Sequence, residues 1–235
     1  MRAILFDKDG TLIDYWRTWL PINRKVALFA AGGDAALANE LLALGGQDPA
    51  TGSVVPGSPL AAGSVADIAE AFASHPDVAA AITLEAGIDR IFAEAGAAHS
   101  VLVPQARETL LLLKARGFLL GLATNDSDAG LRASLAAHDL LPLFAFAAGC
   151  DTGLGAKPGP GMVHGFAAAT GTPLRDIAVV GDAVHDLAMG RAAGAGLNVG
   201  VLSGTSARQD LEGLADLILA SVADLPGEAM FRNPG

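Results

Sequence analysis

The residues Ala3-Ile4-Leu5-Phe6 form an apolar run that stops at Asp7-Lys8-Asp9-Gly10-Thr11-Leu12. The run is too short for a helix and reads as a buried strand. The Asp-Gly pair after it reads as a sharp turn. Two carboxylates spaced i, i+2, and a hydroxyl, thus fall at the carboxyl end of a strand, where open α/β sheets bind ligands. Taken alone, the same residues also describe an ordinary turn whose aspartates accept from backbone N–H groups. The rest of the chain bears on that choice.

From Pro104 onward, helix and strand patterns alternate. Helical periodicity covers Gln105 to Arg116, Ser127 to Ala137, Gly161 to Thr170 and Val184 to Ala193. Apolar runs lie at Phe118 to Ala123, Leu143 to Ala148, Ile177 to Val180 and Gly196 to Val201, with a weaker strand and helix near Leu217 to Leu225. Strands separated by helices predict a parallel sheet with helices on both faces. Residues 15 to 97 differ: they hold helical patterns and no strand signal. Asp34 is placed to cap a helix over Ala35 to Leu44, and Ser64 with Asp67 approaches a capping box before Val65. Gln47 to Gly63, rich in Gly, Pro and Ser, reads as a long loop. The expected organisation is an α/β core of residues 1–14 and 98–235, interrupted after its first strand by an all-helical cap, residues 15–97.

Composition narrows the function classes. The 235 residues suffice for a full core, and 51% are hydrophobic. The net charge of −10 argues against nucleic acid as a partner. An anionic substrate would need a local cation, supplied by a metal ion and placed Lys or Arg. The single cysteine, Cys150, excludes an intrachain disulfide and reads as a small apolar residue at a strand end. With no signal-peptide layout and no apolar run near the roughly 18 residues of a membrane span, the expectation is a soluble, cytoplasmic chain without a membrane partner.

Polar residues gather at the predicted strand ends: Asp7 and Asp9, Thr124, the Gly-rich loop with Lys157, then Asp182 and Asp186. Each has a plainer reading. Thr124-Asn125-Asp126-Ser127 also suits an N-cap cluster, Lys157 a solvated loop, Gly181-Asp182 a turn. Their ordered appearance together suits phosphoryl transfer. Asp7 and Asp182 have the hard oxygen ligands that Mg²⁺ takes. Asp7 would attack phosphorus, and Asp9 would protonate the leaving oxygen and later deprotonate a water. Thr124, with N–H groups at the following helix start, would bind phosphoryl oxygens, and Lys157 would offset the charge.

These residues resemble the motifs of the haloacid dehalogenase superfamily, in its phosphoglycolate-phosphatase-like branch. Asp7-Lys8-Asp9-Gly10-Thr11-Leu12 matches the first motif, Thr124-Asn125 the second, Lys157-Pro158 the third and Gly181-Asp182-Ala183-Val184-His185-Asp186 the fourth. The resemblance implies a Rossmann-like core with an inserted helical cap. It also implies Asp7 as nucleophile, Asp9 as acid and base, and Thr124, Asn125 and Lys157 on the phosphoryl group. Mg²⁺ would be held by Asp7, the Asp9 backbone carbonyl and Asp182, with Asp186 in support. Lys8 stands where many members have an apolar residue. Strand alternation predicts that it points away from Asp7 and Asp9. Asp9 favours phosphate esters over carbon–halogen bonds.

The expected substrate is a small phosphorylated metabolite chosen by the cap. Trp16 and Trp19 fall on one helical face and read as cap core. Arg17, Arg24, Lys25 and the loop from Val54 to Ser64 are candidates for substrate contact; an Arg17 facing the site would hold a carboxylate such as that of phosphoglycolate. Alternatives are a phosphomutase, a phospho-accepting regulatory domain and a catalytically silent binding protein on the same fold. The regulatory reading conflicts with an acceptor on the first strand and with a cap after it.

Overall fold

The computed structural model describes residues 1–234. Six strands, β1 (Ala3–Phe6), β2 (Leu119–Ala123), β3 (Phe146–Ala148), β4 (Ile177–Gly181), β5 (Leu197–Val201) and β6 (Leu217–Leu219), pair in the order β3-β2-β1-β4-β5-β6. Every pairing is parallel. This is the Rossmann-like α/β architecture. β1 lies at the centre, with Phe6 level with Leu122 of β2 and Val180 of β4. The chain winds outward on both sides of β1, so the crevice at its carboxyl end is a switch point where ligands bind.

Period-two alternation divides β1 between two apolar layers. Ile4 and Phe6 join one cluster, Ala3 and Leu5 the other. Ten helices accompany the sheet. Five lie between β1 and the ribbon that returns to the core: α1 (Tyr15–Ala30), α2 (Ala35–Leu44), α3 (Pro59–Ala62), α4 (Val65–Ala73) and α5 (Ala81–His99). Five follow them: α6 (Ala106–Ala115), α7 (Asp128–Ala136), α8 (Gly161–Thr170), α9 (Val184–Ala193) and α10 (Arg208–Leu211). Leu110 of α6 and Leu131 of α7 fill the Phe6 side; Phe166 of α8 and Met189 of α9 fill the Leu5 side. Each fully buried side chain of this size contributes about 1.5–3 kcal/mol. Phe166 lies so close over Gly121 of β2 that a Cβ there would stand 2.6 Å from its ring.

Helices α1 to α5 share a third apolar cluster, built on Ile22, Val26, Leu41, Phe72 and Ile88. Asp34 accepts from the N–H groups of Ala36 and Leu37, and Ser64 and Asp67 form the capping box before α4. The chain leaves and returns as a two-stranded ribbon. The Asp14 N–H donates to the Val101 carbonyl (2.8 Å) and the Val103 N–H to that of Leu12 (2.9 Å). The block rests on the core through α5 against α7. Among the described residues, no single helix is long and apolar enough to cross a membrane.

Several bounds differ from the sequence reading. The last helix of the block starts only at Ala81, after a turn at Pro76-Asp77 and three irregular residues. The run Leu143 to Ala148 pairs only over Phe146–Ala148, and Leu141–Leu143 forms a 3-10 turn. The loop of residues 47–63 contains α3, opened by Pro59 at a first-turn position that needs no N–H. After β6 the helical pattern becomes a 3-10 segment, Val222–Gly227.

Candidate active site

Asp7 continues directly from β1, and its N–H donates to the Val180 carbonyl at 2.8 Å. The backbone then doubles back: the N–H groups of Leu12 and Ile13 both donate to the Lys8 carbonyl, and Gly10 adopts φ +86°. Around this turn Asp7, Asp9, Thr124, Asn125, Lys157, Asp182 and Asp186 all line one cleft between the sheet edge and the first helices. All seven residues singled out from the sequence therefore converge.

Lys157 is the centre of charge. Its Nζ donates to Asp7 Oδ1 at 2.5 Å and to Asp186 Oδ1 at 2.6 Å. Burial alone would lower the pKa of this ammonium; Asp186 and Asp7 outweigh it and hold it above the ordinary lysine value. Asp186 also accepts from the Ala183 N–H at 3.0 Å. Asp182 accepts from the Thr205 N–H at 3.0 Å and the Thr11 hydroxyl at 3.3 Å. Glycines press on that carboxylate: a Cβ at Gly10 would lie 2.5 Å from it and one at Gly204 1.8 Å. Side chains there would displace Asp182.

The acids are short of positive charge. Burial, then Asp186, pushes the Asp7 carboxyl up to about 6 against the pull of Lys157. Asp182 is held well above the usual carboxylate value by burial, then by Asp7 and Asp186. Carboxylate oxygens of Asp7, Asp182 and Asp186 all lie within 4.8 Å of one another. Three buried carboxylates around one ammonium, all offering oxygen, fit a hard divalent cation.

Lys8 is a correction. Alternation predicted that it points away, but β1 ends at Phe6 and the turn brings the side chain inward. It is fully buried, donates to Asp126 Oδ2 at 2.7 Å and stands 3.0 Å from Asp9 Oδ2. Its Nζ also lies 5.0 Å from the Trp19 ring centroid. Burial would depress this lysine; Asp126 and Asp9 prevail and raise its pKa. Trp19 Nε1–H donates to the other oxygen of Asp9 at 2.6 Å. Asp9 is thus held from both sides. Burial, opposed by Lys8 and aided by Asp126 and Asp7, pushes it up to about 6. A carboxyl group in that range exchanges a proton readily near neutral pH.

Asn125 needs a second adjustment. Its side chain serves the neighbouring loops: Oδ1 accepts from the Lys157 N–H (2.8 Å), while Nδ2 donates to the Ala62 carbonyl (3.0 Å) and the Lys157 carbonyl (3.3 Å). With the side chain so engaged, the expected phosphoryl contact of Asn125 would have to be made by its backbone N–H. Thr124 Oγ1 accepts from the Asp126 N–H at 3.1 Å, which leaves its own proton free to donate into the cleft.

The helical side divides the remaining candidates. Trp19 belongs to the buried cluster, but Trp16 is 37% exposed and meets only the edge of Tyr15, so the two indoles do not share the buried face. The buried stripe of α1 runs through Tyr15, Trp19, Ile22 and Val26. Arg17, Arg24 and Lys25 are exposed and do not line the cleft, so none of these three candidates faces the site. The loop before Ser64 does reach it, through residues Pro59 to Gly63. Tyr15 OH donates to the Leu60 carbonyl at 2.7 Å and pins this loop to α1. Sequence reasoning missed Trp19, Asp126 and His185 as cleft residues, and Lys8 as the buried partner of Asp9 and Asp126. Cys150 packs against the apolar layer under β3, and burial, then Asp151, pushes its thiol up to about 11, in keeping with a small apolar residue.

Comparison with known proteins agrees with the geometry. The model of the haloacid dehalogenase-like hydrolases matches residues 1–194, and the chain belongs to that family of hydrolases. A phosphoglycolate phosphatase of Shigella boydii is 26% identical over 240 residues, covering 96% of this chain and 91% of that protein. Two solved structures share the fold. One is CbbY from Rhodobacter sphaeroides, in complex with phosphate, with TM-score 0.74, 21% identity and 99% of each chain covered. The other is a hydrolase from Pseudomonas syringae, with TM-score 0.72, 21% identity and 97% of each chain covered.

Proposed function

We propose that the chain is a Mg²⁺-dependent phosphatase that hydrolyses small phosphate monoesters through an aspartyl-phosphate on Asp7, with residues 15–97 acting as its cap domain. The observation that carries this reading is the convergence of Asp7, Asp9, Thr124, Lys157 and Asp182 on one cleft. A carboxylate nucleophile and a phosphoryl group repel, and this site holds cationic groups where that repulsion arises.

Asp7 would attack phosphorus while the bond to the alcohol oxygen breaks and Asp9 gives that oxygen its proton. Asp9 would then take a proton from water; the water oxygen attacks phosphorus, the Asp7–phosphorus bond breaks, and phosphate leaves. Lys8 and Trp19 would keep the Asp9 carboxyl aimed at the leaving oxygen. The Thr124 hydroxyl and the Asn125 N–H would bind phosphoryl oxygens, and Lys157 would offset their charge. Asp7, Asp182 and the Asp9 carbonyl would hold Mg²⁺, with Asp186 steadying Lys157. Bound there, the ion would supply positive charge to the nucleophile and the phosphoryl group.

A phosphomutase on this fold would have to hold a second phosphate on the cap side. Among the described residues, no cation lines that side, which favours hydrolysis. The test is phosphate release from a panel of small esters with Mg²⁺ and with chelator, for the parent and for Asp7→Asn. Metal-dependent release that Asp7→Asn abolishes is expected; release that persists in Asp7→Asn rules out the covalent route.

A further inference from the structure

The cap-side wall of the cleft is apolar. Trp19, Leu60, Val65, Ile68 and Phe92 form most of it. Between residues 15 and 99 the chain has four Lys or Arg residues, Arg17, Arg24, Lys25 and Arg90, and all four are exposed. None lines the cleft. Arg17 and Arg24 lie about half a helical turn from the Trp19 stripe, so rotamer changes cannot bring them to that wall.

The core side has no cation to spare. Asp7, Asp9, Asp126, Asp182 and Asp186 line the cleft, and two lysines answer them. Lys157 is paired with Asp7 and Asp186, and Lys8 with Asp126 and Asp9. A metal ion and the phosphoryl group would complete this charge set. A second anionic group on the substrate would be pressed against apolar side chains, against carboxylates or against the half-buried imidazole of His185, which burial and then Lys157 hold below the ordinary histidine value. Burying a charge without a partner is strongly unfavourable.

We infer that the alcohol part of the substrate is uncharged and largely apolar, and that phosphoglycolate and other esters with a second acid group are poor substrates. This rests on the phosphatase reading and narrows it, because charge in the cleft selects the phosphate and the apolar wall selects what the phosphate is attached to.

The test uses the full chain with Mg²⁺ and two matched pairs: propyl phosphate with phosphoglycolate, and benzyl phosphate with 4-carboxybenzyl phosphate. The uncharged member of each pair should exceed its partner at least tenfold in kcat/KM, chiefly through KM. Calorimetry on Asp7→Asn should give the same order of affinity without turnover. Val65→Lys, at a partly exposed point of the wall, should move the ratio at least tenfold toward the carboxylated esters. An advantage below tenfold in the parent, or a preference for phosphoglycolate, overturns the inference while leaving the phosphatase reading intact. Failure to hydrolyse any ester, p-nitrophenyl phosphate included, overturns the phosphatase reading and this inference with it.

Discussion

The two walls of the cleft follow opposite rules. On the sheet side, five carboxylates and two lysines are drawn into contact, with Lys8 and Lys157 almost wholly shielded from water. On the helical side, every Lys and Arg faces outward and the inner surface is apolar or engaged in neutral hydrogen bonds such as Tyr15 to Leu60. Burying charge is unfavourable unless each group is paired and bonded. The sheet side meets that condition for its two lysines and leaves an excess of carboxylate, because parallel strands deliver side chains from distant parts of the sequence to one edge. The helical side avoids it. On the proposed reading, reaction chemistry and choice of alcohol reside on separate elements.

Substitutions on each wall should have different signatures. The largest effect belongs to the nucleophile: Asp7→Asn should lower kcat by about 10⁴-fold or more, measured as phosphate release. Next is Lys8→Met. It should lower kcat for alkyl phosphates about 10²-fold and that for p-nitrophenyl phosphate much less, because a good leaving group needs little help from Asp9. Equal losses on both esters would mean that Lys8 serves stability alone. Trp19→Phe keeps the ring beside Phe92 and removes one hydrogen bond to Asp9, so the same split should appear at about tenfold.

Metal-free protein gives a stability test of the crowded wall. Asp7 and Asp9 titrate near 6 in the fold against an ordinary 3.8, and Asp182 is raised as well. The folded chain therefore binds more protons than the unfolded one between about pH 4 and 6, so stability should fall as pH rises through that window. Thermal melts in chelator should show a higher midpoint at pH 5 than at pH 7, and Mg²⁺ should restore most of the difference at pH 7. A midpoint that rises with pH would contradict the charge imbalance. The smallest effect is expected for Arg17→Ala, which should leave KM for phosphoglycolate within about twofold, as suits an exposed residue.

Much of this was legible in the sequence. The helices Gly161–Thr170 and Val184–Ala193 follow from periodicity with clear end signals, and Asp34 and Ser64 announce the starts of theirs. The ends of β1 and β2 could be placed because those apolar runs stop at a polar residue, Asp7 and Thr124. Short pieces could not: α3 and α10 span four residues each, too few to show a period. Lys8 was misplaced because alternation holds only inside a strand, and the backbone turns immediately after Asp7. Trp19 showed its helical face but not its N–H bond, which depends on how that helix sits against a turn ten residues earlier. Arg17 had the right chemistry for a carboxylate and the wrong phase on its helix.

The ribbon at Leu12–Asp14 and Val101–Val103 has a mechanical consequence. Both passages between the helical block and the sheet run side by side, bonded through Asp14 to Val101 and Val103 to Leu12. Two adjacent attachments restrain a rigid body to swing like a door on one edge. A short turn joining the two passages would leave the pairing of the six strands untouched, so the sheet does not need the apolar wall for its own register.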